Sequence, residues 1–299
     1  MVSRTAPNRQ NSGPIDPGGA APAAAPGAAR GPAPEFAADD RPGAGPEPAA
    51  DADPPHRFPV EHLESCPSTN DLLLERARAG ATTPVVLVAA HQSAGRGRRG
   101  AAWLGAPGAS LAFSLLWRTR RSAPELGLVP LASGVACAQA LAACGAAGIG
   151  LKWPNDLLAP GGKLGGILVE SVLGPGHASL VIGIGINLRG GAGLTARLGR
   201  PVAALEDCVG TLPAAGVLLS AILCALRGRL EDFEAGRDAA ILAAWSACDL
   251  LAGREVEIVD AGPLWRGTAC GITPRGALRI RTARGMREVN AGETRVLPS

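Results

Sequence analysis

The composition changes abruptly near residue 56, and that break decides how much of the chain can fold as one body. Residues 1–55 hold 12 of the 26 prolines but only Met1, Val2, Ile15 and Phe36 as larger apolar side chains. Such a segment cannot bury enough apolar surface to offset the entropy of ordering it, so residues 1–56 are expected to be a disordered Pro/Ala/Gly-rich tail. The tail has neither the unbroken apolar run of a signal peptide nor the arginine-rich amphipathy of a transit peptide. A misplaced start codon is a second explanation of it. The remaining ~240 residues suffice for a catalytic domain and a small appendage.

The seven cysteines (66, 137, 144, 208, 224, 248 and 270) are odd in number and contain no CxxC. They suggest neither a disulfide framework nor a zinc site, and a reducing cytoplasm fits them best. A net charge of +3 is too small to imply nucleic-acid binding by itself. Leu126 to Cys144 comes nearest to a membrane span, but Pro130 and its many small residues read as a buried helix instead.

Capping chemistry and periodicity give the organisation. Ser68 followed by Asp71 has capping-box spacing and Gly80 supplies a stop, predicting a short helix from Thr69 to Ala79. "PVVLVAA" reads as a buried strand ending at His91 and Gln92. "SLAFSLLWR" puts Leu111, Phe113, Leu115 and Trp117 on one face of a second strand. Leu126 to Cys144 reads as a long helix, followed by three strands in "GIGLKWPND", "GGILVESV" and "SLVIGIGIN". Pro213 to Glu234 and Asp238 to Cys248 read as helices, the first with Leu218, Ile222, Leu226 and Leu230 at i,i+4 spacing. After Gly253, "REVEIVD", "WRGTACGI", "ALRIRT" and "TRVL" suggest a β-barrel of about 50 residues. The expected domains are 57–249 and 250–299.

The segment between the first two strands, "AAHQSAGRGRRGAAW", carries the chemistry. Its Gly95-x-Gly97-x-x-Gly100 fits the dinucleotide fingerprint as a bare pattern. That fingerprint needs a helix directly after the glycines and an acidic residue about 20 positions on. "AAWLGAPGAS" is no helix, and the next acidic residue is Glu125, so the Rossmann reading fails. Arg96, Arg98 and Arg99 suit oxyanions, because guanidinium donors pair with carboxylate or phosphate in a fixed fork. Lys163 in "GGKLGG" is not a P-loop lysine, since Leu164 follows it. Taken alone it reads as a solvated turn lysine, and Lys152 with Asp156 as a salt bridge. Together these basic loops can converge on a polyanion such as ATP.

In order and spacing, "STND", "HQSAGRGRRGAAW", "LKWPNDLL", "GGKLGGILVE" and "VIGIGINL" resemble biotin protein ligase, in its form without an N-terminal DNA-binding domain. The resemblance spans Val60 to the C-terminus. It implies an α+β fold: a mixed-sheet catalytic domain of the biotin/lipoate ligase type, then a small SH3-like β-barrel. It implies a cytoplasmic enzyme, monomer or homodimer, that uses biotin, ATP and Mg2+. Its partner would be the biotin carboxyl carrier domain of acetyl-CoA carboxylase or another biotin-dependent carboxylase, with no nucleic acid and no membrane. Carried over by position, Ser68, Thr69, Asn70 and Gln92 meet the ureido ring. Arg96, Gly97 and Arg98 close over the biotin carboxylate and acyl phosphate. Lys163 contacts the carboxylate and α-phosphate, and Arg98 and Lys163 are the catalytic pair. Lys152, Asn155 and Asp156 fall on the nucleotide and metal side, and Asn187 near adenine. The metal ligands are not assigned.

Simpler roles stand beside these. Ser68 also caps a helix, Asn187 also satisfies a turn, Gln92 also ends a strand, and Trp103 and Trp117 read as core. A lipoate or octanoate ligase of related fold is the nearest alternative, although a polar Ser-Thr-Asn and Gln set suits a ureido ring better than a fatty chain. A biotin-responsive DNA-binding repressor is disfavoured, because the N-terminal segment lacks helical periodicity. The glycine–arginine loop is expected to be mobile when empty, through glycine freedom and repulsion among its three arginines.

Overall fold

The structure is a computed structural model describing residues 58–259 and 264–297. The expected tail, residues 1–56, lies outside the described residues. The first sheet uses β1 (Val60–Cys66), β2 (Val85–Gln92), β3 (Ser110–Thr119), β4 (Gly150–Lys152), β5 (Asp156–Ala159), β6 (Gly162–Gly174) and β7 (His177–Asn187). Their order is β1-β2-β3-β7-β6-β5-β4. Only β1 and β2 run parallel, so the sheet is mixed.

Helices α1 (Thr69–Arg78), α2 (Val129–Ala143), α3 (Gly191–Leu198), α4 (Ala215–Glu234) and α5 (Asp238–Ser246) accompany it. The capping signal was sufficient for α1: Asp71 N–H donates to Ser68 Oγ at 3.4 Å, and Gly80 follows with φ +89°. Both faces of the sheet are covered. Leu111, Phe113 and Leu115 of β3 and Ile182, Ile184 and Ile186 of β7 join α2, α4 and α5 in the main core. On the opposite face Leu87, Leu116 and Val181 meet Leu73, Leu74 and Ala77 of α1. The i,i+4 stripe of α4, Leu218 to Leu230, is fully buried, and each such side chain stabilises by about 1.5–3 kcal/mol relative to exposure.

Two expectations need correction. The helix expected from Leu126 begins at Val129, behind a 3-10 turn at Ala123–Leu128. Glu125 closes that turn by accepting from Ser122 N–H at 2.8 Å. Pro130, lacking an N–H, fits only the first turn of α2. By length and composition Ala123–Ala143 could cross a bilayer, yet 67% of its most apolar window is buried inside the protein. "GIGLKWPND" is not one strand either. Pro154 cannot donate to a ladder, so the chain turns at residues 153–155 between β4 and β5, with a cis Trp153–Pro154 bond.

The second sheet is antiparallel: β8 (Glu255–Val259), β9 (Trp265–Ile272), β10 (Leu278–Thr282), β11 (Gly285–Val289) and β12 (Glu293–Val296), in order β11-β10-β9-β8-β12. It grips the Trp153 turn. Trp153 Nε1 donates to Gly276 O at 2.9 Å, and Thr294 Oγ1 donates to Trp153 O at 3.0 Å. That grip brings Glu293 and Arg295 beside the turn. Strands β1 and β11 and helix α3 were not expected from the sequence. β1 and β11 are largely exposed and lack an apolar alternation to announce them.

Candidate active site

A cleft of about 550 Å³ opens on the α1 side of the first sheet. Its floor is β7, where Gly183 and Gly185 carry no side chains. A Cβ at Gly183 would lie 2.2 Å from Asn70 Oδ1, and one at Gly185 would lie 2.5 Å from the Trp103 ring. The glycines of "GIGIN" therefore let Asn70 and Trp103 lie directly on the strand. The cleft gathers Ser68, Thr69, Asn70 and Gln92 at the start of α1 and the end of β2. Arg96, Gly97 and Arg98 reach it from the β2–β3 loop, and Lys152, Asn155, Asp156 and Lys163 from the hairpins of β4 to β6.

One end of the cleft is a neutral hydrogen-bond network. Gln92 Oε1 accepts from Thr69 N–H at 2.8 Å, and Thr69 Oγ1 lies 2.7 Å from Ser114 Oγ. Ser114 Oγ donates to Asn70 Oδ1 at 2.5 Å, and Asn70 Nδ2 donates to Glu170 Oε2 at 2.9 Å. Asn70 is 4% exposed, with both ends of its amide occupied by protein. In this arrangement it supports the pocket without a free group for a ligand. Gln92, by contrast, keeps its Nε2 for the cleft.

The other end is cationic. Lys163 Nζ donates to Asp156 Oδ1 at 2.5 Å, and Lys152 Nζ is 3.7 Å from Oδ2 of the same carboxylate. The lysine's backbone is pinned independently: Lys163 N–H donates to Pro201 O and Ala203 N–H to Lys163 O. Arg98 Nη1 donates to Asn155 Oδ1 at 3.3 Å and to Gly292 O at 3.4 Å. Burial pushes the Arg98 pKa down, opposed by the Asp156 and Glu293 charges. Arg200 and Arg295 add two more cations to the lining, leaving an excess of positive charge suited to phosphate oxygens.

In the glycine–arginine loop Arg96 and Arg98 turn to different partners, while the neighbouring Arg99 charge still adds to the lowering of the Arg98 pKa. Arg96 makes a two-pronged pair with Glu170, at 3.1 and 2.7 Å, and a second ion pair with Asp71 at 2.6 Å. Arg98 enters the cleft, while Arg99 is exposed at φ 57°. Arg96 thus already holds carboxylate oxygens, and its geometry is that of a loop anchor.

Asn187 is the one predicted residue not on the cleft lining. Buried behind the cleft, it donates from Nδ2 to Lys163 O at 3.3 Å and to Ala203 O at 3.2 Å. It also borders a small cavity of about 20 Å³ with Trp103, Leu194, Leu198 and Arg200. Trp117 packs against the core as read, and its Nε1 donates to Glu234. Trp103 instead lines the cleft, with a buried Nε1 that has no hydrogen-bond partner. Ser114 and Glu170 escaped the sequence reading, and Asp71 was read only as part of a helix cap, not as a partner of Arg96. "LVESV" signals a strand, and only the fold brings Glu170 under the loop. Among the described residues no group of three or more His, Cys, Asp or Glu could hold a metal ion.

Residues 63–187 match the biotin/lipoate A/B protein ligase family, and residues 252–294 match the biotin protein ligase C-terminal domain. The chain is 32% identical over 231 residues to a biotin--[acetyl-CoA-carboxylase] ligase of Paracoccus denitrificans, covering 76% of this chain and 95% of that protein. It is 34% identical over 226 residues to the bifunctional ligase/repressor BirA of Escherichia coli strain K12, covering 71% of this chain. The match spans just under two thirds of that relative's length, 66%. Among solved structures, biotin protein ligase from Aquifex aeolicus in complex with biotin and ATP superimposes with a TM-score of 0.68 at 26% identity. That superposition covers 81% of this chain and 99% of the other.

Proposed function

Because the chain belongs to the biotin/lipoate A/B protein ligase family and carries the biotin protein ligase C-terminal domain, we propose that it is an ATP-dependent biotin ligase acting on a biotin carboxyl carrier domain. The observation that carries this reading is the polarity of one continuous cleft, neutral and hydrogen-bonding at one end and cationic at the other. Biotin has a neutral ureido ring at one end and a carboxylate at the other. The two molecules match end for end.

The reaction has two balanced steps. A biotin carboxylate oxygen attacks the α-phosphorus of ATP, and the bond to the bridging oxygen breaks to release pyrophosphate. The ε-amine of a carrier lysine then attacks the acyl carbon of biotinyl-5′-AMP, forming an amide, losing a proton and expelling AMP. Neither step needs a protein nucleophile. Positioning and charge stabilisation suffice.

Ser68, Thr69 and Gln92 serve the ureido ring, with Asn70 holding them in place. Lys163 and Arg98 stand where charge develops on the carboxylate and α-phosphate, and an incoming phosphate competes with Asp156 for the Lys163 ammonium. Gly97 lets the loop backbone approach, while Arg96 anchors it. Lys152, Asn155 and Asp156 serve the nucleotide, which arrives as its magnesium complex. Asn187 acts through the Lys163 backbone. Residues 57–249 form the catalytic domain and 250–299 the C-terminal domain, which lends β12 to the cleft. A cytoplasmic location is in keeping with the free cysteines.

The test is incubation with labelled biotin, MgATP and a carrier domain, with lipoate and octanoate as competing acids. Label is expected on one carrier lysine, undiminished by either competitor. Carrier left unlabelled at full occupancy of ATP and biotin would overturn the reading.

A further inference from the structure

We propose that Glu170 is a positioning residue that sets which hydrogen-bonding groups the neutral end of the cleft presents, and that Arg96 ties this setting to the glycine–arginine loop. The inference rests on the reading of biotin as substrate. Glu170 stands on β6 opposite Val181 of β7, on the face of the sheet that carries the cleft.

A carboxylate paired with a guanidinium only accepts. Glu170 takes two bonds from Arg96 and a third from Asn70 Nδ2. Leu168 O, another pure acceptor, lies 3.4 Å from the same nitrogen. These neighbours fix which end of the Asn70 amide is nitrogen, so its oxygen must face Ser114. Ser114 Oγ, 2.5 Å away, then has to donate to that oxygen. Its only proton is thereby used. The 2.7 Å contact between Ser114 Oγ and Thr69 Oγ1 is a hydrogen bond only if Thr69 donates, and the other acceptor within reach of that proton, Gln92 Oε1, is farther at 3.2 Å.

Thr69 Oγ1 is left with lone pairs for a ligand. Gln92 Oε1 already accepts the Thr69 N–H at 2.8 Å, which turns Gln92 Nε2 outward as a donor. One acceptor beside one donor is the complement of an N–H beside a carbonyl, as in a cyclic urea. The polarity of this pair is dictated from Glu170, at the far end of the relay. The same carboxylate holds Arg96, so the loop is latched to the residue that sets urea recognition.

Glu170→Gln removes the acceptor-only terminus. The new amide can donate, Asn70 can turn over, and Thr69 can offer a proton where a lone pair is wanted. The KM for biotin in biotin-dependent pyrophosphate release should rise about tenfold, with the KM for MgATP changed less than about twofold, because one ligand hydrogen bond is lost. Ser114→Ala breaks the relay without touching Arg96, and should raise the biotin KM while leaving the loop latched. Trypsin cleavage at residues 96–99 without ligand reads the latch alone. It should quicken in Glu170→Gln and stay at the wild-type rate in Ser114→Ala.

A biotin KM unchanged in both variants, or both KM values moving together with wild-type melting temperature, overturns the relay. Equal cleavage in Glu170→Gln and wild type overturns the latch. If the wild-type protein releases no pyrophosphate with biotin, the functional reading fails and the urea assignment with it, while the cleavage rates still decide the latch.

Discussion

The two ends of the cleft are built on opposite principles. At the neutral end Asn70, Thr69, Ser114 and Gln92 bond to one another, so the pocket is finished before a ligand arrives. At the cationic end Lys152, Lys163, Arg98, Arg200 and Arg295 face Asp156 and Glu293, and the charges do not balance. The first arrangement suits a ligand whose polar groups do not change during reaction. The second suits one on which charge develops and moves. Substitutions at the two ends should accordingly fail in different ways, the first in binding and the second in rate.

The largest effect is expected from Lys163→Ala. Removing one charge-stabilising donor at a transition state typically costs ~10²–10³ in rate, read as biotin-dependent pyrophosphate release. Melting temperature should hold, because the local backbone is pinned by Pro201 O and Ala203 N–H rather than by the side chain. Near wild-type release would move the reacting centre away from the cationic end.

Arg98→Ala comes next. Arg98 joins the loop to Asn155 and to the carbonyl of Gly292, so its loss should open the cleft from above. Biotinyl-5′-AMP is expected to escape roughly tenfold faster, since charged hydrogen bonds are lost. Label appearing on free amines measures the escape. Wild-type retention would leave Arg98 as a structural strut between the two sheets.

Gly183→Ala probes the neutral end. The new methyl would lie 2.2 Å from Asn70 Oδ1, inside any tolerable contact, so Asn70 must shift and the network with it. Biotin affinity should drop roughly tenfold while ATP affinity stays level, as for one displaced hydrogen-bonding group. Equal losses for both ligands, measured calorimetrically, would erase the distinction between the ends.

Much of this was legible before the fold was known, and the reasons differ by element. The cap at Ser68, the stripe of α4 and the period of β3 are local signals, and each produced its element. The motif residues other than Asn187 converged on one cleft because they stand at strand and helix ends, or in the β2–β3 loop, on the same side of the sheet. What stayed hidden depended on distant partners. Glu170 lies 100 residues from Asn70 and 74 from Arg96, so no local pattern could join them. Trp103 read as core because the glycine opposite it, Gly185, is 82 residues away. Asn187 was flagged by its motif, but its contact with the Lys163 backbone needed the pairing of β6 with β7.

The smallest effect lies away from both ends and serves as their control. Glu125 has a pKa lowered to about 2, chiefly by Arg121, with help from the Ser122 hydroxyl and N–H. Arg121 also pairs with Asp238 and donates to Phe233 O, pinning the corner between α4 and α5. A carboxylate whose folded pKa is depressed stabilises the fold fully above its ordinary value near 4.5. That contribution fades as pH falls from there through about 2. The Glu125 side chain is 36% exposed, so solvent screening limits the contribution to about 1 kcal/mol or less. Glu125→Gln should therefore lower the melting temperature slightly at pH 7, and the gap from wild type should narrow as pH falls from about 4.5 through about 2. Pyrophosphate release at pH 7 should be unchanged, because the corner is remote from the cleft lining. A matching loss of activity would mean that the α4–α5 corner communicates with the site, and that the division between its two ends is not local.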